Sequence, residues 1–177
     1  MGIRSREQTL SMELLIVRHA IAFPRDAKRW PDDDQRPLTA EGVKRARRAA
    51  AGLKRIVKRP ALVLTSPLVR ARDTAAIFTQ AAHWPKAEEC DALSPRGSLE
   101  AVLEAVRRQG GKSDCVAVVG HQPHLGRLLA NCLRGDAHAE AFELRKSAVV
   151  CVQFQGAPRA GQGMLTALFP PRALRRI

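Results

Sequence analysis

The chain has 177 residues, 45% of them apolar and 27% charged, with 30 Lys and Arg against 17 Asp and Glu for a net charge of +13. That length and balance suit one globular domain with a full core, and they exclude a disordered chain or one that needs disulfides or metals to fold. No apolar run reaches the roughly 18 to 20 residues of a membrane-spanning helix, and Arg4, Arg6 and Glu7 leave no signal-peptide core, so a cytoplasmic protein without membrane contact is expected.

Residues 1–11 are polar and aperiodic and are expected to form a flexible tail, with a single domain over residues 12–177. Leu14-Leu15-Ile16-Val17 is short, apolar and without alternation, which predicts a buried parallel strand ending at Arg18-His19. Asp32-Asp33-Asp34, between Pro31 and Gln35-Arg36, reads as a solvated loop rather than a cation site. Thr39 is placed to cap a helix that carries Val43, Ala46, Ala50, Leu53 and Val57 on one face and ends at Pro60. Lys44, Arg45, Arg47, Arg48, Lys54, Arg55, Lys58 and Arg59 are interleaved with those residues, the pattern of a solvated amphipathic face. No aromatic residue interrupts them and the chain has no Tyr, so nucleic acid is not the expected partner.

Residues 61–65 predict a second strand, followed by Ser66 as an N-cap, Pro67 at the first helical position and a helix to Ala82. A weaker third strand spans Lys86 to Cys90. Ser98 opens a helix bearing Leu99, Val102, Leu103 and Val106, which Gly110-Gly111 ends. Cys115 to Val119 repeats the buried-strand pattern and ends at Gly120-His121. Pro123 then starts a helix with Leu125, Leu128, Leu129, Cys132 and Leu133 inward and Gly135 at its close. Residues 148–154 and 164–169 follow as two strands with no helix between them, so one of them runs antiparallel. The expected fold is a three-layer α/β/α sandwich with a mostly parallel sheet and an antiparallel edge strand. Cys90, Cys115, Cys132 and Cys151 form no C-x-x-C pair and read as buried thiols.

Two apolar strands thus deliver His19 and His121 at their carboxyl ends, where open α/β sheets bind ligands. With Ser66 as N-cap, Arg70 is the fourth helical residue and leans back over the same crevice, beside a helix start that favours anions. Arg18 and Arg70 can clamp a phosphoryl group with planar, bidentate forks. A single His after a strand is commonly a core residue, and a single Arg in so basic a chain is commonly a surface one. The joint occurrence of R-H, S-P-x-x-R-A-x-x-T-A and G-H-x-P after three strands is what points to phosphate chemistry.

These strings resemble the histidine phosphatase superfamily, which includes phosphoglycerate mutases and acid phosphatases. Leu15 to Ala20 is similar to its R-H-G signature, Ser66 to Ala75 to its second arginine motif, and Gly120-His121-Gln122-Pro123 to its G-H-x-P. Arg36-Pro37-Leu38-Thr39-Ala40-Glu41-Gly42 and the short chain are similar to the SixA-like phosphohistidine phosphatases. The resemblance implies that His19 takes the phosphoryl group as a covalent phosphohistidine. Arg18, Arg70 and His121 would hold the equatorial oxygens, with Gln122 a further substrate-binding candidate, and no metal or cofactor takes part.

Two departures bear on the substrate. Ala20 replaces the signature glycine and adds a methyl next to the nucleophile, and no glutamate after the third strand sits in an acid motif. Glu88, Glu89 and Asp91 are the carboxylates nearby. A phosphoramidate leaves as imidazole with less need of an acid. This favours a metal-independent phosphohydrolase acting on phosphohistidine in a protein partner, through a crevice open enough to admit a protein surface. The alternatives are a phosphatase of a small phosphorylated metabolite and a non-catalytic basic module that binds phosphoryl groups or nucleic acid.

Overall fold

Both faces of the central strands are covered, which is why their sequences run apolar without alternation. The computed structural model describes residues 11–111, 113–136 and 142–177. In β1 (Ser11–Arg18), Leu14 and Ile16 pack into one core with Val102 and Leu103 of α3 (Leu99–Gly110) and Leu125 and Leu128 of α4 (His124–Arg134). Leu15 and Val17 pack into the opposite core, with Ala49 and Leu53 of α1 (Ala40–Leu53) and Ala71 and Phe78 of α2 (Val69–Ala82).

The sheet is completed by β2 (Leu62–Thr65), β3 (Glu88–Glu89), β4 (Cys115–Gly120), β5 (Val149–Gln155) and β6 (Met164–Phe169). Its order is β3-β2-β4-β1-β5-β6. Strands β3, β2, β4 and β1 are mutually parallel, while β5 is antiparallel to both β1 and β6. The fold is therefore the expected three-layer α/β/α sandwich, with the reversed strand one place in from the edge.

This order assembles the site. Strand β4 inserts between β1 and β2, pairing Arg18 with Gly120 and Thr65 with Val119. The next residues continue the ladder, with His19 N–H donating to Gly120 O at 2.9 Å and Ser66 N–H to Val119 O at 2.9 Å. Three chain segments about fifty residues apart so end side by side.

Several expected boundaries hold for the expected reasons. Thr39 Oγ1 accepts the Gly42 N–H at 2.9 Å, and Ser98 caps α3 through the Ala101 N–H. Gly135 closes α4 in the left-handed region, at φ 72°. Gly42 has a second role, because a Cβ there would lie 2.1 Å from the Ile21 carbonyl oxygen. The glycine lets α1 press against the chain two residues beyond His19.

Other parts of the chain differ from expectation. Helix α1 stops at Leu53 instead of reaching Pro60, and Lys54 to Val57 tighten into short turns, Arg55 N–H bonding Gly52 O and Ile56 N–H bonding Leu53 O. A short helix, α5 (Pro171–Leu174), seats the buried Leu174 against Gly52, and four residues carry no periodicity that a sequence reading could detect. Ser66 is not the cap of α2: that helix starts at Val69 behind Leu68, so Arg70 is its second residue rather than its fourth. Strand β1 begins at Ser11, the last residue of the expected tail, and the rest of that tail lies outside the described residues.

The four cysteines are buried free thiols, and burial pushes Cys115, Cys132 and Cys151 up to about 12, far from a reactive thiolate. Among the described residues no helix is long and apolar enough to cross a membrane.

Candidate active site

His19 leaves β1 with its ring already oriented. Nδ1 lies 2.7 Å from the Ala20 carbonyl oxygen, which can only accept, so Nδ1 carries the proton and Nε2 the lone pair. Burial, followed by the charges of Arg70, Arg18 and Lys146, lowers its pKa to about 3 against the opposing pull of the Ala20 bond. The ring is therefore neutral at ordinary pH, with Nε2 as the basic nitrogen.

His121 stands beside it, ring centroids 5.1 Å apart and planes tilted by 52°. Its Nε2 is 2.8 Å from Ser66 Oγ. That oxygen already accepts the Leu68 N–H, so its own proton is best placed to bond Nε2, which assigns the ring proton to Nδ1. Nδ1 is buried without a partner. Burial first, then the neighbouring His19 and Arg70, lowers this histidine to about 2.

Arg70 is 3% exposed. Nη1 donates to the Asp33 carbonyl at 2.8 Å, Nη2 lies 3.3 Å from Asp33 Oδ2, and Nε is buried without a partner. Arg18 donates through Nη1 to the Leu144 carbonyl, and its Nε is likewise buried and unpartnered. Buried donors without partners are rare. Here three of them, Arg18 Nε, Arg70 Nε and His121 Nδ1, belong to side chains clustered around one neutral histidine. A tetrahedral oxyanion would supply the acceptors that this group lacks.

The structure thus brings together Arg18, His19, Arg70 and His121. Gln122 is engaged elsewhere, its Nε2 donating to Phe142 O at 2.7 Å, with Oε1 buried and unpartnered. The Ala20 methyl does not enter the site: it is fully buried in a small apolar cluster with Ala22, Leu38, Ala46 and Ile77.

Other residues complete the arrangement. Thr74 Oγ1 accepts the Ala20 N–H at 2.9 Å and donates to Arg70 O at 2.7 Å, tying α2 to the backbone just after His19. Its signal was the threonine of the second arginine motif. Ser147, in the left-handed region at φ 63°, donates its N–H to Arg18 O at 3.0 Å, and no sequence pattern marks it. Asp33 is the largest surprise in the acidic tract. Its carboxylate binds Arg36 Nε at 2.7 Å as well as Arg70, and Arg36 is the first cause holding it below the usual carboxylate range.

A cavity of about 470 Å³ opens beside the cluster, lined by Arg70 and Asp33 with Arg25, Trp30, Leu68 and Arg96 among its walls. Of the four clustered residues only Arg70 reaches it. The carboxylates on its lining are Asp26, Asp33 and Asp34, not Glu88, Glu89 or Asp91. Strand β3 has two residues and sits at the sheet edge, so its end falls beyond β2. Glu89 faces outward there and pairs with Arg72 at 3.2 Å, while Glu88 and Asp91 are exposed.

The profile of the Histidine phosphatase superfamily (branch 1) matches residues 14–96, a stretch that takes in Arg18, His19 and Arg70. An uncharacterised protein of Picosynechococcus is 36% identical over 140 residues, covering 78% of this chain and 83% of that one. The phosphohistidine phosphatase SixA of Escherichia coli is 33% identical over 129 residues, covering 71% of this chain and 76% of that protein. The chain belongs to the histidine phosphatase superfamily. A solved structure of the protein histidine phosphatase SixA complexed with tungstate superposes on this histidine phosphatase with a TM-score of 0.78 at 28% identity, covering 92% of this chain and 99% of that one. The enzyme is a phosphatase acting on a phosphorylated substrate. His121 lies beyond the matched profile, and the fold alone sets it beside the residues within.

Proposed function

We propose that this phosphatase hydrolyses phosphohistidine in a protein partner by way of a covalent intermediate on His19. The observation that carries the reading is a neutral histidine, fixed through Nδ1, among three buried N–H donors without partners. In the first step the Nε2 lone pair attacks phosphorus while the bond to the substrate imidazole, protonated on its other nitrogen, breaks in line, and that ring departs neutral with the bonding pair. Arg18 Nε, Arg70 Nε and His121 Nδ1 bond the equatorial oxygens as charge spreads over them. In the second step water attacks the phosphohistidine, inorganic phosphate leaves, and Nε2 regains its lone pair. Arg18, Arg70 and His121 both bind substrate and act in catalysis, and no metal enters either step.

Two further facts support the leaving group. The similar protein of Escherichia coli is named a phosphohistidine phosphatase. Glu88, Glu89 and Asp91 do not line the cavity, so none of the three is placed there to protonate a leaving group. A phosphatase of a small phosphorylated metabolite is the second reading, favoured by a cavity of about 470 Å³ with carboxylates on its wall. Binding without turnover would need the arginines but not a histidine with its Nε2 left basic.

The deciding assay compares a phosphohistidine peptide, an aryl phosphate and a sugar phosphate with chelator present. The first two should turn over much faster than the third, and acid-quenched against base-quenched enzyme should show acid-labile, base-stable phosphate. A strong preference for the sugar phosphate would move the enzyme to the metabolite class.

A further inference from the structure

Asp33 is the residue through which Arg70 meets the loop before α1, and the catalytic steps above give it no part. Its carbonyl accepts from Arg70 Nη1 at 2.8 Å and its Oδ2 lies 3.3 Å from Nη2. Both contacts fall on the outer end of the guanidinium, leaving the Nε edge, buried and unpartnered, as the side that can fork onto two phosphoryl oxygens. The same carboxylate takes Arg36 Nε at 2.7 Å and Arg36 Nη2 at 3.3 Å. Arg36 is itself buried and anchored to the Phe23 carbonyl at 2.6 Å. Arg70 is therefore held through Asp33 to a second arginine that is fixed in place.

Charge gives the contact a second consequence. Arg18, Arg70 and Lys146 all act on His19, so the cradle would grip a phosphate dianion tightly as reactant, transition state and product alike. Uniform binding of that kind does not raise kcat and slows release. Asp33 places one negative charge against Arg70, at the rim of the cradle. The Arg36 contact keeps that carboxyl below the usual range, so it stays ionised at neutral pH and is not a proton donor there.

We propose, on the reading that this cluster is a phosphoryl site, that Asp33 is a positioning residue that acts through Arg70: its negative charge, set against that guanidinium, weakens the hold on product phosphate. Asp33 also lines the cavity beside the cluster, so the residue that restrains Arg70 is in contact with whatever the leaving group occupies.

The test uses inorganic phosphate as a competitive inhibitor of aryl phosphate hydrolysis by the full chain at constant ionic strength. Asp33→Asn keeps the size, the backbone carbonyl and one amide oxygen while removing the charge. Its inhibition constant for phosphate should fall at least about fivefold, about 1 kcal/mol. Asp34→Asn makes the same charge change on the same cavity, without a bond to Arg70, and should shift the constant by less than about twofold. The rise in melting temperature caused by saturating phosphate should be larger in Asp33→Asn than in the wild type, which checks binding apart from turnover and confirms a folded variant. Unchanged or weaker inhibition in Asp33→Asn, or an equal effect in Asp34→Asn, would overturn the proposal. A wild-type enzyme that phosphate does not inhibit at all would instead remove the phosphoryl reading beneath it.

Discussion

The strand ends and the loop of residues 25–36 treat charge in opposite ways around the same Arg70. At the strand ends, Arg18, His19 and His121 are held by backbone neighbours and one serine, the two histidines are kept neutral by burial, and three N–H groups have no partner. Along the loop, Arg25 and Arg36 both pair with Asp33, which carries 38% side-chain exposure. One region is buried and electrostatically incomplete; the other is wetter and internally paired. A phosphoryl group is the same in every substrate, so its cradle gains from fixed, waiting donors. A leaving group differs between substrates, and a loop is where variation is tolerated.

The most severe break of this contrast is loss of the nucleophile. His19→Ala should lower kcat by at least about 10³, roughly 4 kcal/mol of barrier, and abolish the acid-labile phosphoenzyme. Loop substitutions such as Arg25→Ala should leave the phosphoenzyme chemistry in place and change KM. If His19→Ala keeps full activity, the strand-end region is not the reacting one.

A second test uses the protonation of that region. His19 and His121 have folded pKa values of about 3 and about 2, against an unfolded value near 6.5. Below about pH 6.5 the unfolded chain binds protons that the folded one refuses, so stability is full above that pH and is lost as pH falls toward 3. Between pH 6.5 and 5 each histidine can contribute a loss of up to about 2 kcal/mol. Urea unfolding at the two pH values measures it, and His121→Asn should reduce the difference. An equal loss in that variant would assign the acid sensitivity to other groups.

Ser66→Ala probes the same region more gently. It removes the hydrogen bond to His121 Nε2, frees the ring to carry its proton on either nitrogen, and should lower kcat about tenfold, roughly 1.4 kcal/mol. Ser66→Thr should retain more activity than Ser66→Ala if the hydroxyl is what matters. Equal activity in the two variants would show that His121 needs no partner.

The strand-end region was legible in sequence because apolar runs that end in Arg-His and Gly-His state both burial and position. The order of the sheet was the missing step, since only the insertion of β4 between β1 and β2 makes residues so far apart in the chain into neighbours. The loop was far less legible. A run of three aspartates between a proline and a glutamine reads the same whether its carboxylates face water or turn inward to arginines. Ser66 reads as a helix cap for a related reason: a serine hydroxyl before a proline suits a cap and a histidine partner equally well, and nothing in its own segment reveals His121. Lys146 and Ser147 belong to no pattern at all, and their place beside His19 comes from β5 pairing with β1.

The smallest effect should come from the carboxylates that sequence placed nearest to the leaving group. Glu88 and Glu89 lie on β3 at the far edge of the sheet, Glu89 paired to Arg72, and Asp91 is exposed at the start of a short turn. None of them lines the cavity beside Arg70. Exchanging each in turn for its amide should therefore change phosphohistidine turnover by less than about tenfold, under ~1.4 kcal/mol, with an unchanged ratio of aryl to sugar phosphate activity. Asp26→Asn, on the cavity wall, is the informative contrast. If a proton donor is needed for alkoxide leaving groups, its loss should fall on the sugar phosphate and spare phosphohistidine, whose imidazole leaves without much help. A large loss on phosphohistidine from Glu88, Glu89 or Asp91 would mean that the third-strand segment closes over the crevice during turnover, and the division between a fixed cradle and a variable loop would have to include it.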